Sequence, residues 1–278
     1  MIAIIKTKKD LEILREGGYL LAQILQKILD ASKPGVSTLD LDKLAESLIL
    51  ESGGKPSFKG YKIRETRVAY PGSLCVSVND EVVHAIPKDD KILKEGDVVG
   101  LDIGMQWPNE ATSDSPRLSF SGAGKRQATS GLFTDMAVTT GIGKISEEAE
   151  KLIRITREAL DIGIKIVKPG VKTGDIGHAV QRHLEKYNFG IIRDLAGHGV
   201  GYAVHEEPLI PNYGKQGTGP ELVEGMVIAI EPMATLGGWK IKLDDDEWTF
   251  RTEDGSLAAH FEHTMAVTPG GAEVLTRI

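Results

Sequence analysis

Four carboxylates stand inside apolar, β-rich runs of the 278-residue sequence: Asp102 in VVGLDIGM, Asp135 in LFTDMAVT, Glu231 in MVIAIEPM and Glu262 in HFEHTMAV. Such runs read as buried strands. An isolated ionised carboxylate is costly to bury, and the runs carry no matching set of Lys or Arg, so a divalent cation is the economical partner. One such acid could be a hydrogen-bonded core residue, but four together point to metal. Of the seven histidines, His198 and His205 fall in AGHGVGYAVHEEP (196–208), where glycines flank His198 and allow a close backbone approach. Two Asp, two Glu and one His make a hard, oxygen-rich set that suits paired Mn, Fe or Co better than a closed structural zinc site. Paired cations lower the pKa of a shared water for attack on a carbonyl, which is metal-assisted hydrolysis.

Other matches fall away. GHGVG lacks the third glycine of a dinucleotide fingerprint, and GAGK (122–125) has Ser119 and Arg126 where a phosphate loop needs Gly and Ser or Thr. His178 and His183 are five apart on a predicted helix, hence on different faces, and are expected to be solvated. Asp244 to Glu247 reads as a solvated turn between strands.

The elements that must position these acids recur in one order. KPGV occurs at 33–36 and 168–171, each time after a helical pattern (9–31 and 147–167) and before a Thr and Asp helix start, Thr38 with Asp40 or Thr173 with Asp175. EGDVVGLD (95–102) matches EGMVIAIE (224–231), each delivering a carboxylate at its eighth position, and Val83-His84 with Pro87 echoes Val204-His205 with Pro208. The expectation is one pseudo-symmetric α+β domain over 1–278, with halves of roughly 1–140 and 141–278 and the site at their seam. Residues 62–69 and 106–131 fall outside the repeat and read as insertions, the second rich in Ser, Gly and Ala.

Composition sets the outer bounds. The sequence is 41% hydrophobic and 26% charged, enough for a packed core, and its formal charge of -7 argues against a nucleic-acid-wrapping surface. One cysteine, Cys75, excludes an internal disulfide and a cysteine zinc site. With no signal-peptide pattern and no run of 18 apolar residues, the expected protein is cytoplasmic, without membrane or specific nucleic-acid partner, and monomeric.

Asp102, Asp135, His198, Glu231 and Glu262, with HEEP (205–208), IEPM (230–233), FEHT (261–264) and NDEVVHAIP (79–87), resemble the type I methionine aminopeptidases over nearly the whole length. The resemblance implies the pita-bread fold, a curved antiparallel sheet backed by helices. It implies two divalent ions (Co, Mn or Fe): one held by Asp135, His198, Glu231 and Glu262, the other by Asp102 with Asp135 and Glu262 bridging. Glu231 would shuttle protons, His205 would contact the scissile carbonyl and His84 the peptide nitrogen, while Phe58, Tyr61, Tyr70, Cys75 and Trp248 would form the methionine cup. The substrates implied are nascent polypeptides that begin with methionine followed by a small residue.

Departures from the family pattern stand beside it. Asp102 and Asp135 are farther apart than the usual dozen residues, leaving Asp114 as a rival ligand; Asp135 is preferred for its apolar run. Val204 replaces a bulkier aromatic, and His260 replaces a Gln and points, with period two, to the face of Glu262. The insertion 62–69 stands between Tyr61 and Tyr70 and threatens to move the cup wall. Arg117, Lys125 and Arg126 in the second insertion leave open a flap over the cleft or a transient basic contact for the ribosome, with a plain surface excursion the preferred reading. Two rival functions share the fold: a proline-directed aminopeptidase or dipeptidase, and a non-catalytic binding protein that would have lost metal ligands.

Overall fold

A computed structural model describes residues 4–63, 66–109 and 131–277. Four helices are seen among them: α1 (Lys8–Ala31), α2 (Thr38–Glu51), α3 (Glu147–Ile166) and α4 (Thr173–Glu185). Each starts where local chemistry satisfies its first N–H groups. Thr7 and Asp10 form a reciprocal capping box on α1, the Ser37 and Ser146 hydroxyls accept from Asp40 and Ala149 N–H on α2 and α3, and Asp175 accepts from Lys172 N–H at the start of α4.

The first half of the chain supplies β1 (Lys55–Pro56), β2 (Leu74–Val78), β3 (Glu81–Val83), β4 (Val98–Trp107) and β5 (Leu132–Gly141). The second supplies β6 (Gly190–Ile191), β7 (Ala196–Gly199), β8 (Glu206–Pro211), β9 (Val227–Ile230), β10 (Met233–Thr235), β11 (Ile241–Leu243), β12 (Phe250–Thr252), β13 (Ala258–His260), β14 (Glu262–Thr268) and β15 (Gly271–Val274). The main sheet runs β1-β4-β5-β14-β9-β7-β8, with β2 also on β4 and β15 also on β14, and every pairing is antiparallel. Two three-stranded sheets, β13-β10-β6 and β11-β12-β3, complete the α+β pita-bread architecture.

Alternation separates core from site. Leu101, Ile103 and Met105 of β4 pack with Leu21, Leu25, Ile28, Leu41 and Ile49 of α1 and α2, while Ile228, Ile230, Met265 and Val267 pack with Leu160 and Ile176 of α3 and α4. The intervening residues, including Asp102, Asp135 and Glu262, face the other side of the sheet. Both KPGV turns are held alike, each followed by an isolated antiparallel bridge, Ser37 to Ile92 and Lys172 to Glu221.

The β4–β5 ladder explains the long separation of the two aspartates. It runs without a slip from Val98 opposite Gly141 to Trp107 opposite Leu132, so the extra residues of the sequence fall outside the paired positions. Asp102 pairs with Ala137 and Asp135 with Gly104, which puts both carboxylates on one face of adjacent strands.

At the seam between β5 and β14, the two strands share only two registered pairs, Glu262 with Ala137 and His263 with Met136. On either side of these, a threonine hydroxyl spans the gap. Thr264 Oγ1 accepts from Asp135 N–H (2.9 Å) and donates to Asp135 C=O (2.7 Å), and Thr139 Oγ1 does the same with His260 (2.8 and 2.7 Å). Ala137 lies between Asp102 and Glu262 in this row, and its single methyl leaves room between the two carboxylates.

Candidate active site

Asp102, Asp135 and Glu262 are buried, as the alternation requires, and Glu231 is nearly so. Two of the acids sit at strand ends rather than in strand interiors. Glu231 lies one residue past β9, because Pro232 has no N–H to continue the ladder, and Glu262 opens β14. The Asn212 side chain donates to the Glu231 carbonyl at 2.9 Å and holds that end in place. His84 and His205 also lie outside strands. His84 follows β3 in the left-handed region (φ 57°), and His205 precedes β8.

Asp135, His198 and Glu262 each offer a ligand atom within 4.8 Å of the others. His198 Nε2 lies 3.6 Å from Glu231 Oε1 and 4.0 Å from Glu262 Oε1. Asp102 stands outside that tight group but lines the same cavity with all four. The donor chemistry fits a cation. Asp102, Asp135 and Glu262 each leave one buried carboxylate oxygen without a hydrogen-bond partner, an arrangement that favours a positive ion. His198 Nδ1 meets the Gly199 carbonyl at 2.9 Å, so the proton sits on Nδ1 and the Nε2 lone pair faces the acids. The flanking glycines are needed for packing: a Cβ on Gly197 would stand 2.4 Å from the Ala229 carbonyl, and one on Gly199 2.4 Å from that of Glu207.

The electrostatics agree. Burial pushes Asp135 and Glu262 well above the ordinary carboxylate range, and pushes Asp102 up to about 7. Burial pushes Glu231 upward too, but His260 beside it, with Nε2 at 3.4 Å from Oε2, is the chief influence that leaves it lowered. Desolvation takes His84 down to about 4 and likewise lowers His205, so both rings are neutral near pH 7.

Phe58, Tyr61, Tyr70, Cys75 and Trp248 come together with Ile86 in one apolar cluster. Tyr70 meets Trp248 edge to face at 5.3 Å and donates to the carbonyls of Leu74 (3.1 Å) and Ala85 (3.0 Å). A Cβ at position 104 would overlap Ser57 and Phe58, so Gly104 makes the space that Phe58 occupies. The cluster lines a 600 Å³ cavity whose inner end is the carboxylate group. A second cavity of 360 Å³, lined by Glu207, Leu209 and Met233, shares His84, Leu195, His198, His205 and Glu231 with the first. Those five residues stand where the two spaces meet.

Several expectations need correcting. His183 is not solvated: it is buried, 3.2 Å from Glu158 Oε2 on α3 and edge-on to Tyr187. His178 is half-buried, near the Gly214 carbonyl. The insertion 62–69 leaves the cup wall in place, because Tyr70 N–H donates to the Tyr61 carbonyl (2.8 Å) across its neck. Val204 is buried and is not among the residues lining either cavity. Asp114, Arg117, Lys125 and Arg126 lie outside the described residues. Sequence reasoning missed the contacts of Ile63, Thr66, Leu195, Leu243, Glu247 and Phe250 with the cavity.

A curled antiparallel sheet with a cation-ready carboxylate cluster at its centre, flanked by neutral histidines and an apolar cup, defines a pita-bread metallohydrolase. The chain matches the Metallopeptidase family M24 profile over residues 12–130 and 126–269. It is 41% identical over 273 residues to a methionine aminopeptidase of Clostridium acetobutylicum, covering 98% of each chain. To methionine aminopeptidase 1 of Bacillus subtilis it is 40% identical, covering 99% of each. The crystal structure of a Thermotoga maritima methionine aminopeptidase superposes with a TM-score of 0.87 at 39% identity, covering 100% of both chains. A Pyrococcus horikoshii prolidase shares the fold alone, with a TM-score of 0.72 at 20% identity, and the chain covers 64% of it. The chain belongs to metallopeptidase family M24, among its methionine aminopeptidases. No helix of the described residues is long and apolar enough to cross a membrane.

Proposed function

We propose that the protein removes the N-terminal methionine from nascent polypeptides whose second residue is small, acting in the cytoplasm as a monomer with two divalent ions of Co, Mn or Fe. The observation that carries the mechanism is the partition: His84, Leu195, His198, His205 and Glu231 line both the apolar cup and a second cavity and stand between them. A peptide with its first side chain in the cup and its continuation in the second cavity crosses that partition at its first peptide bond.

Asp135, His198, Glu231 and Glu262 would hold one ion, and Asp102 the other, with Asp135 and Glu262 bridging. When bound, the ions supply Lewis-acid polarisation of the scissile carbonyl, charge for the free amino group to bind, and a water of lowered pKa. The chain's own groups do the rest. Glu231, ionised through its histidine neighbours, takes the proton of the attacking water and passes it to the departing amine. The Tyr61 hydroxyl, 2.7 Å from His205 Nδ1, donates there and leaves the ring proton on Nε2, where His205 offers it to the developing oxyanion. His84, neutral and fixed by its backbone, takes the peptide nitrogen side. The cup of Phe58, Tyr61, Tyr70, Cys75 and Trp248 binds the thioether side chain by apolar contact and sulfur–aromatic attraction. His260 is a positioning residue that keeps Glu231 ionised; unchanged metal content and pH profile in His260→Ala would remove it from this role.

The test is hydrolysis of Met-Gly-Met-Met and of Gly-Pro peptides by metal-stripped protein resupplied with Mn, Fe or Co, with Asp135→Asn and Asp114→Asn alongside. Metal-dependent methionine release, lost in Asp135→Asn and kept in Asp114→Asn, is expected. Release from the proline peptide alone would move the protein to the proline-directed relatives.

A further inference from the structure

The segment 62–69 joins two residues of the cup, Tyr61 and Tyr70, and its neck is closed by the bond from Tyr70 N–H to Tyr61 C=O and by Gly60 N–H on the Tyr70 carbonyl (2.8 Å each). Arg67 and Val68 of the segment lie against the turn between β11 and β12 and are clasped there by two consecutive residues. The Arg67 N–H donates to Glu247 Oε2 at 2.7 Å, and the Arg67 guanidinium donates to Glu247 Oε1. Trp248 Nε1–H donates to the Val68 carbonyl at 3.0 Å. Glu247 holds a left-handed backbone (φ 66°), an uncommon conformation for a residue with a Cβ, with its N–H on the Asp244 carbonyl (3.1 Å).

The segment has an inside and an outside. Thr66 is buried, its N–H and hydroxyl both donating to the Ile63 carbonyl (3.3 and 3.2 Å), and Thr66 and Ile63 line the 600 Å³ cavity. Val68 and the Arg67 side chain are exposed. Trp248 links the segment to the cup floor: its ring packs on Tyr70 while its N–H is satisfied by the segment. Without the Val68 carbonyl, a buried indole N–H would be left unpaired, and the ring would have to shift or admit water.

We propose that the segment, through Ile63 and Thr66 and through its clasp on Glu247 and Trp248, is a specificity determinant that closes the outer side of the cup and sets the size of N-terminal side chain accepted. The inference rests on the aminopeptidase reading above. Held in place, the wall favours a slender, flexible side chain of methionine's length and rejects a wider aromatic one. Released, the cup widens outward, methionine loses apolar contact and phenylalanine gains entry.

Three variants test this: residues 62–69 replaced by Gly-Gly, a length that suits a two-residue hairpin at the Tyr61–Tyr70 neck, Glu247→Ala, and Arg67→Ala. The readouts are the ratio of kcat/KM for Met-Ala-Ser to that for Phe-Ala-Ser, split into KM and kcat, and the affinities of metal-loaded protein for methionine amide and phenylalanine amide by calorimetry. The ratio is expected to fall more than threefold in the Gly-Gly variant, mainly through KM, with Glu247→Ala moving the same way and Arg67→Ala least. A ratio within threefold of the parent's in both the Gly-Gly and Glu247→Ala variants overturns the inference. A Gly-Gly variant that fails to fold leaves Glu247→Ala, a turn substitution, to decide by the same threshold. Should the parent release no residue from either peptide, the aminopeptidase reading fails, and the amide affinities judge the wall by themselves.

Discussion

The Tyr61 hydroxyl lies 2.7 Å from Nδ1 of His205, and the two rings meet edge to face with centroids 5.4 Å apart. Under the proposed function, a wall residue of the apolar cup thus touches the histidine assigned to the scissile carbonyl, and its hydroxyl donating to Nδ1 leaves the ring proton on Nε2. Tyr61→Phe keeps the ring and removes the hydroxyl. Loss of one neutral hydrogen bond is worth about 1 kcal/mol, so kcat should fall roughly fivefold with KM for methionyl peptides little changed. Steady-state kinetics on Met-Ala-Ser check this, and an unaltered kcat would separate Tyr61 from the chemistry.

Metal binding should release protons. Without a cation, burial holds Asp102 at about 7 in the folded chain against an ordinary value of 3.8. Between those values the folded state carries more protons than the unfolded one, so stability of the metal-free protein falls as pH rises through the window. A divalent ion displaces that proton. Calorimetric titration with Mn at pH 6, in two buffers of different ionisation enthalpy, should give different apparent enthalpies, and the difference should shrink in Asp102→Asn. Equal enthalpies in both buffers would count against the assignment.

The seam threonine is a structural test. Thr264→Val strands the N–H and C=O of Asp135, and leaving two buried backbone groups unpaired costs about 2 to 4 kcal/mol. Denaturant unfolding should show that loss, with Thr264→Ser close to the parent. A valine variant as stable as the parent would mean that the strands close up directly.

His263, on the helix side of the sheet, gives a second pH dependence with the opposite sign. Burial, with Arg277 and Arg157 nearby, lowers it to about 4 against the opposing pull of Asp161 and of a hydrogen bond with Thr276, and its Nδ1 lies 3.0 Å from Thr276 Oγ1. Between pH 4 and 6.5 the unfolded chain binds the extra proton, so this ring makes stability rise with pH across that window and adds no slope above it. His263→Gln should flatten the acid limb by about 3 kcal/mol in a pH series of urea melts. An unchanged slope would mean that the ring is hydrated in the folded state.

What the sequence made legible follows from periodicity. Leu101, Asp102 and Ile103 announce a strand with one apolar face and one acid on the other, and the recurrence of EGDVVGLD as EGMVIAIE announces a second strand of the same sheet with an acid at its end. Contacts between distant segments carried no such signal. Burial of His183 depends on Glu158 of a different helix. The clasp of Arg67 by Glu247 joins residues 180 apart, and neither side looks unusual alone. Likewise, nothing in the letters Val83-His84 tells that the strand ends there and turns the histidine through a left-handed backbone.

The ten-pair ladder of β4 and β5 insulates the carboxylates from whatever joins its far end. Closing a longer loop there costs only about 0.6 kcal/mol for each doubling of length, and the register of Asp102 against Ala137 does not depend on it. That tip is therefore a splice port: a reporter or an affinity module inserted there would ride on the enzyme and leave the spacing of its acids untouched.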